Sequence, residues 1–140
     1  MQGYNLIAVF DPAGENWLMC RRRKEPYLGL FNLVGGKIEP GETDSDAAYR
    51  ELWEETAIPR EAIRLSRLMN FVYPLDDCFV QVYVGRLLRE QPVSGEENEL
   101  FWSDLNHNFF DSSRYAGEGN IGHILEHILL HKSELLGDPS

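Results

Sequence analysis

Residues 35–58 read GGKIEPGETDSDAAYRELWEETAI: two glycines, a short polar loop, then an acidic stretch with helical periodicity. Thr43 has the chemistry of an N-cap, with Asp46 three residues on as in a capping box. Pro59 lacks an amide donor and disfavours helical geometry in the residue before it, so the helix should run from about Asp44 to near Ala57. On a wheel of about 100° per residue, Ala48, Tyr49, Leu52, Trp53 and Thr56 share one arc, while Glu51, Glu54 and Glu55 gather on another. The first arc reads as a face packed on a sheet. Three carboxylates at i, i+3 and i+4 repel one another and call for a positive group among them.

Hard divalent cations prefer oxygen ligands, and Mg²⁺ is commonly held by a few carboxylates together with waters and substrate phosphates. Gly35-Gly36 allows a sharp turn that exposes a carbonyl to the same place, and Glu42, just before the helix, is placed to pair with Arg50. Three glutamates alone fit a solvated helix face better than a metal site. The spacing of the whole stretch separates the two readings.

Outward from this stretch, residues 3–10 and 16–22 read as strands joined by the turn-forming DPAGE, a hairpin. LFNLV at 30–34 is a short strand running into the glycines. Ile63–Tyr73 and Cys78–Leu88 are apolar, β-branched and aromatic runs around PLDD, a second long hairpin. ELFWS follows as a short strand, 106–120 as irregular chain, and Ile121–Leu136 as an amphipathic helix. Strands on both sides of a central helix imply an α/β (α+β) fold with a mixed sheet between helices rather than a doubly wound parallel one.

At 140 residues the chain fits a single domain, 1–140, able to bury a core without staples. Its 43% hydrophobic and 26% charged residues are those of a globular protein. A formal net charge of -10 disfavours nucleic-acid polymers and anionic membranes, and means that a small anionic substrate needs local compensation. Cys20 and Cys78 have no ligand spacing and read as core thiols. With neither a leader nor an apolar span in MQGYNLIAVF or beyond, a cytoplasmic location is the simplest expectation.

Gly36, five residues, Glu42, seven residues, then Arg50-Glu51-Leu52-Trp53-Glu54-Glu55-Thr56-Ala57-Ile58 resembles the Nudix box. The one departure is Ala57, where the family normally has glycine in a left-handed position at the helix end. The resemblance implies an α/β/α sandwich and hydrolysis of a nucleoside diphosphate linked to a further group, with Mg²⁺ or Mn²⁺ as cofactor. Carried over residue by residue, it makes Glu51, Glu54 and Glu55 metal ligands, with the Gly35 carbonyl as a further one. Arg50 orients the glutamates through Glu42, and the resemblance leaves the general base open between Glu51, Glu54 and a residue from a loop outside the box. Members similar to MutT take another glutamate from the loop before a late strand, where Glu97 fits best, with Glu96 and Glu99 as rivals.

Substrate recognition is written outside the box. Phe31-Asn32 resembles the aromatic residue and base-reading asparagine of oxidised-purine triphosphatases, although Asn32 is equally a solvent-facing strand residue. Residues 114–120, RYAGEGN, resemble the pocket segment of MutT-like proteins, making Glu118 and Asn120 base contacts or simple helix-capping residues. Among Arg21, Arg22 and Arg23, the first and last are the candidates for phosphate, against an ordinary charged strand end. Pro74 sits near where ADP-ribose-cleaving members have a proline. His123, His127 and His131 recur at i+4, a spacing that can bind zinc but that lacks a completing ligand.

The leading expectation is a nucleoside triphosphate pyrophosphatase, with 8-oxo-dGTP as a possible substrate. Its rivals are an ADP-ribose or nucleotide-sugar pyrophosphatase and a catalytically silent nucleotide-binding module. A small nucleotide is the expected partner, and monomer and homodimer stay equally open.

Overall fold

Ile7 and Val9 point to one face of the first strand and Ala8 and Phe10 to the other, and all four are fully buried. A strand buried on both faces belongs at the centre of a covered sheet. The computed structural model describes residues 1–137 and places it there. Strands β1 (Gln2–Phe10), β2 (Asn16–Arg21), β3 (Phe31–Asn32), β4 (Ser66–Tyr73), β5 (Cys78–Arg86) and β6 (Glu99–Asp104) form one mixed sheet. β1 runs parallel to β5, from Gln2 beside Cys78 to Phe10 beside Arg86, and β4 lies antiparallel on the far edge of β5.

One face carries α1 (Asp44–Thr56) and a 3₁₀ turn at Arg60–Ala62, packed through Ala48, Leu52, Ile58 and Ala62 on Ile7, Val9 and Leu18. The other carries α2 (Asn120–Leu130) and α3 (Lys132–Leu136), whose Ile121, Ile124, Ile128 and Leu136 close over Phe10, Trp17, Phe109 and Tyr115. The sheet is therefore the middle layer of a sandwich. No helix among the described residues is long and apolar enough to cross a membrane.

The first hairpin is closed only at its turn, where Phe10 pairs with Trp17 and the Asp11 amide donates to the Asn16 carbonyl at 2.9 Å. Beyond that point β1 and β2 diverge, and residues 31–38 fill the fork. Phe31 and Asn32 pair with Arg21 and Cys20 of β2, whereas the amides of Asn5 and Ile7 on β1 donate to the carbonyls of Gly36 and Val34 at 2.8 Å each. The segment read as a strand over 30–34 is accordingly split between two neighbours. Two further boundaries differ from expectation. β4 starts at Ser66, because 60–62 form the 3₁₀ turn, and the last helix breaks at His131 (φ -120°, ψ 28°), returning Leu136 to the core.

Candidate active site

The helix that carries the acidic residues starts and stops as its sequence dictates. The Asp46 amide donates to Thr43 Oγ1 at 3.1 Å, satisfying an otherwise free helix-start donor, while the Asp46 carboxylate takes Arg60 at 2.9 Å. At the other end Ala57 is left-handed (φ 61°, ψ 23°), with its amide on the Trp53 carbonyl. The wheel needs one correction: Trp53 is 56% exposed, and Glu51 is buried with Ala47, Ala48, Leu52 and Thr56. Glu51 belongs to the flank that meets the glycine loop.

That meeting depends on two glycines. Gly35 has φ 149°, and a side chain there would collide with the Asn5 carbonyl; one at Gly36 would occupy the space of the Glu51 carboxylate. Asn5, buried beneath them, holds the Gly36 amide on its Oδ1 at 3.1 Å. Arg50 ties loop to helix: Nε and Nη2 grip the two oxygens of Glu42 at 2.9 and 2.7 Å, and Nη2 also reaches the Lys37 carbonyl at 2.9 Å. Its Nη1 meets Glu51 at 2.9 Å and Glu54 at 3.0 Å. This bidentate pairing holds the Glu42 carboxyl down at about 2.

Glu55 is in the opposite situation. Burial first, then the nearby charges of Glu97 and Glu51, push its carboxyl up to about 7. Burial also raises Glu51, opposed by Arg50. Glu97 reaches Glu55 because its loop crosses the end of α1: the Ser94 amide donates to the Thr56 carbonyl at 2.9 Å, and Gly95 sits where a side chain would be 2.8 Å from the Glu55 carbonyl. Glu96 and Glu99 do not line the cavity on which these carboxylates open, among the described residues.

The cavity measures about 1290 Å³. At one end are Gly35, Gly36, Glu51, Glu54, Glu55 and Glu97; at the other are Tyr27, Asn32, Phe71, Tyr73, Glu118 and Asn120. Arg22, Lys24 and Lys37 also line it, and Lys24 Nζ lies 3.6 Å from Glu97. Among the described residues no three His, Cys, Asp or Glu side chains already stand in ligand geometry, since Arg50 draws Glu51 and Glu54 to itself. The donor set nonetheless suits a hard divalent cation: carboxylate oxygens in excess of local positive charge, one of them buried and one pushed toward its neutral form by its neighbours.

Three of the expected substrate contacts, Arg21, Arg23 and Phe31, do not line the cavity. Arg21 and Arg23 are exposed, whereas Cys20 on β2 and Arg22 and Lys24 just beyond its end do line it. Phe31, paired with Arg21, faces the opposite layer, with its ring centroid 5.0 Å from Phe101 and 5.9 Å from Tyr115. Asn32 does face the cavity. Cys78 is half-buried on the cavity wall rather than in the core, while Cys20 is buried and its thiol is raised to about 11. Tyr27, Tyr73, Lys24 and Lys37 line the cavity but belong to no motif that the sequence displays. The histidines form a helix face: His123 and His127 stack edge-on at 4.6 Å, and His131 lies 3.6 Å from Glu134.

The profile of the NUDIX domain matches residues 2–117. The NAD-capped RNA hydrolase NudC of Chromobacterium violaceum is 30% identical over 104 residues, 71% of this chain and 37% of that protein, so the chain spans little more than a third of that relative. The oxidized purine nucleoside triphosphate hydrolase of Mus musculus is 26% identical over 105 residues, 74% of this chain and 66% of that one. Among solved structures, a bifunctional NMN adenylyltransferase/ADP ribose pyrophosphatase from Francisella tularensis, complexed with AMP and a Mn ion, superposes with a TM-score of 0.74 at 22% identity. That match covers 93% of this chain and 41% of that one. With the profile spanning most of its length, and with the glycine loop, arginine clamp and acidic helix assembled at one cavity, this chain belongs to the NUDIX family.

Proposed function

We propose that this chain hydrolyses a diphosphate linkage of a nucleotide, with a purine nucleoside triphosphate such as 8-oxo-dGTP as the leading substrate. The products would be a nucleoside monophosphate and pyrophosphate. The observation that carries this reading is the layout of the cavity: carboxylates and the glycine loop at one end, and amide, carboxylate and aromatic side chains at the other. A nucleotide has the same two-ended chemistry, phosphates at one end and a hydrogen-bonding base at the other.

In this reading the Gly35 carbonyl, Glu51, Glu54, Glu55 and Glu97 would hold Mg²⁺ or Mn²⁺, and the chemistry the metal would supply there is neutralisation of phosphate charge and a more acidic water. Glu51 or Glu54, as general base, would take the proton of a water that adds to one phosphorus as the bridging P–O bond breaks and pyrophosphate leaves. Arg50 positions both while held by Glu42. Arg22, Lys24 and Lys37 supply positive charge for the phosphates in a chain of net charge -10.

A second reading, cleavage of ADP-ribose or another nucleotide sugar, draws on the cavity's volume of about 1290 Å³, which leaves room for a sugar beyond the diphosphate. A panel of modified and ordinary nucleoside triphosphates, ADP-ribose and NAD, incubated with Mg²⁺ and resolved by product mass, tests the proposal. Pyrophosphate released from triphosphates supports the first reading. Cleavage of ADP-ribose alone supports the second, and Mg²⁺-dependent binding without turnover would replace both with a binding module.

A further inference from the structure

Four non-glycine residues have left-handed backbone, Tyr27, Ala57, Asp77 and Glu118, and two of them are the two ends of a single contact. The Tyr27 hydroxyl donates to the Glu118 carboxylate, with Oη 2.8 Å from one oxygen and 3.0 Å from the other. Left-handed geometry is unfavourable for residues with a side chain, and it persists where the surroundings enforce it, commonly at ligand sites. Here the surroundings are two loops built separately. Arg22 closes the first by donating from Nε to the Pro26 carbonyl at 2.7 Å, and the Leu30 amide donates to the Tyr27 carbonyl at 3.0 Å. Backbone bonds tie the second to β3, from Phe31 to the Arg114 carbonyl and from Ala116 to the Phe31 carbonyl.

A matching contact lies beside it. Asn120 donates its amide nitrogen to the Tyr73 hydroxyl, leaving its oxygen as an acceptor. Asn32 has its oxygen engaged by the Leu33 amide at 2.8 Å, leaving its NH₂ as a donor. All five of these side chains line the same end of the cavity. What they leave for a ligand is therefore defined: two acceptors, Glu118 and Asn120, and one donor, Asn32.

We propose that Tyr27 is a specificity-determining positioning residue, fixing Glu118 so that this end of the cavity selects a base edge with two adjacent N–H donors and one acceptor. A guanine-type edge has that pattern; adenine offers one donor and one acceptor. Tyr73 fixes Asn120 for the same purpose. This rests on the reading of the cavity as a nucleotide site and adds the residues that orient its base-reading groups.

Tyr27→Phe keeps the ring and removes only the hydroxyl. With guanine-type triphosphates, KM should rise about tenfold, as for a lost hydrogen bond to a charged group, while kcat changes far less. The preference for guanine over adenine substrates should narrow. Glu118→Gln should show a similar loss, and the double variant should be no worse than Glu118→Gln alone, because both remove one unit. A wild-type KM and base preference in Tyr27→Phe, fully additive losses, or a wild-type preference for adenine would each overturn the proposal. If the wild type cleaves none of these nucleotides, hydrolysis fails as the function, and calorimetric binding of GMP and AMP to the same proteins tests the inference separately. Tighter binding of GMP that weakens in Tyr27→Phe supports it, and no discrimination between the two overturns it.

Discussion

The Glu51 carboxylate occupies the space that a side chain at Gly36 would need. A single methyl there must displace either the loop or the carboxylate, and the loop is held by Asn5 and Arg50. Gly36→Ala should therefore move Glu51, cost about 1–3 kcal/mol in urea unfolding, and reduce turnover far more than Gly41→Ala, where the backbone is left-handed (φ 86°) but the space is open. Equal turnover in the two variants would refute the assignment of Glu51 to the site.

Glu55 gives a pH test in the absence of metal. Its carboxyl is raised in the folded protein to about 7 from an ordinary 4.5, so the fold holds a proton that the unfolded chain releases. Below pH 4.5 the two states are alike. From there to about pH 7 stability falls as pH rises, and above 7 the full penalty remains. In EDTA, Glu55→Gln should thus melt higher than wild type at pH 8, with the difference vanishing toward pH 4.5. Added Mg²⁺ should raise the wild-type Tm at pH 8 and have little effect on the variant, which should also lose metal-dependent turnover.

Arg50→Lys keeps a positive charge but loses the planar fork that grips Glu42 and reaches Glu51 and Glu54. Glu42 is depressed in the folded state, so the stability it brings is present above its unfolded value of 4.5 and is lost as pH falls toward 2. The variant should unfold at a higher pH during acid titration, and turnover should drop by roughly a hundredfold, the scale on which misplacement of catalytic groups is felt.

Ala57 carries a left-handed backbone that costs an alanine about 1–2 kcal/mol and a glycine almost nothing. Part of that is offset by the greater freedom of glycine in the unfolded chain, about 0.4–1 kcal/mol. Ala57→Gly should therefore raise unfolding stability by about 0.5–1 kcal/mol, seen as a higher urea midpoint at unchanged slope, with KM and kcat retained. A fall in stability would mean that another residue sets the end of the helix.

The basic residues at and just beyond the end of β2 separate by whether they line the cavity. Arg22→Ala with Lys24→Ala should raise KM for nucleotide by about tenfold or more, since charge-assisted bonds contribute about 1.5–3 kcal/mol each. Arg21→Ala with Arg23→Ala should leave KM near wild type. The opposite result would return the phosphate contacts to the exposed side of the strand.

Much of the metal end was legible because its information is local. The cap at Thr43, the stop before Pro59 and the spacing of Glu42, Arg50, Glu51, Glu54 and Glu55 all lie within one loop and one helix, and the structure joins them as the spacing implied. The burial of Glu51 and the exposure of Trp53 were misread because a wheel shows only one helix, whereas the Gly36 loop decides which flank is covered. The base end was less legible. Asn32, Glu118 and Asn120 were recognisable by resemblance, but Tyr27 lies 91 residues from its partner Glu118, and no periodicity reports so distant a bond. Phe31 and Arg21 were lost to a parity that only the pairing register fixes.

The splayed hairpin gives this arrangement its freedom to vary. Residues 34–38 are hydrogen-bonded to β1, which is locked along its length to β5, whereas Phe31, Asn32 and the loop before them hang from β2 and the 114–116 segment. The carboxylate-lined end and the end lined by Asn32, Glu118 and Asn120 thus have separate anchors, although they share one short peptide. Rewriting the tip of the Tyr27 loop, between the anchors at Arg22 and Leu30, would change the wall around Glu118 while Gly35, Gly36 and the helix carboxylates keep their own support on β1, so one wall of the cavity can vary while the other stays fixed.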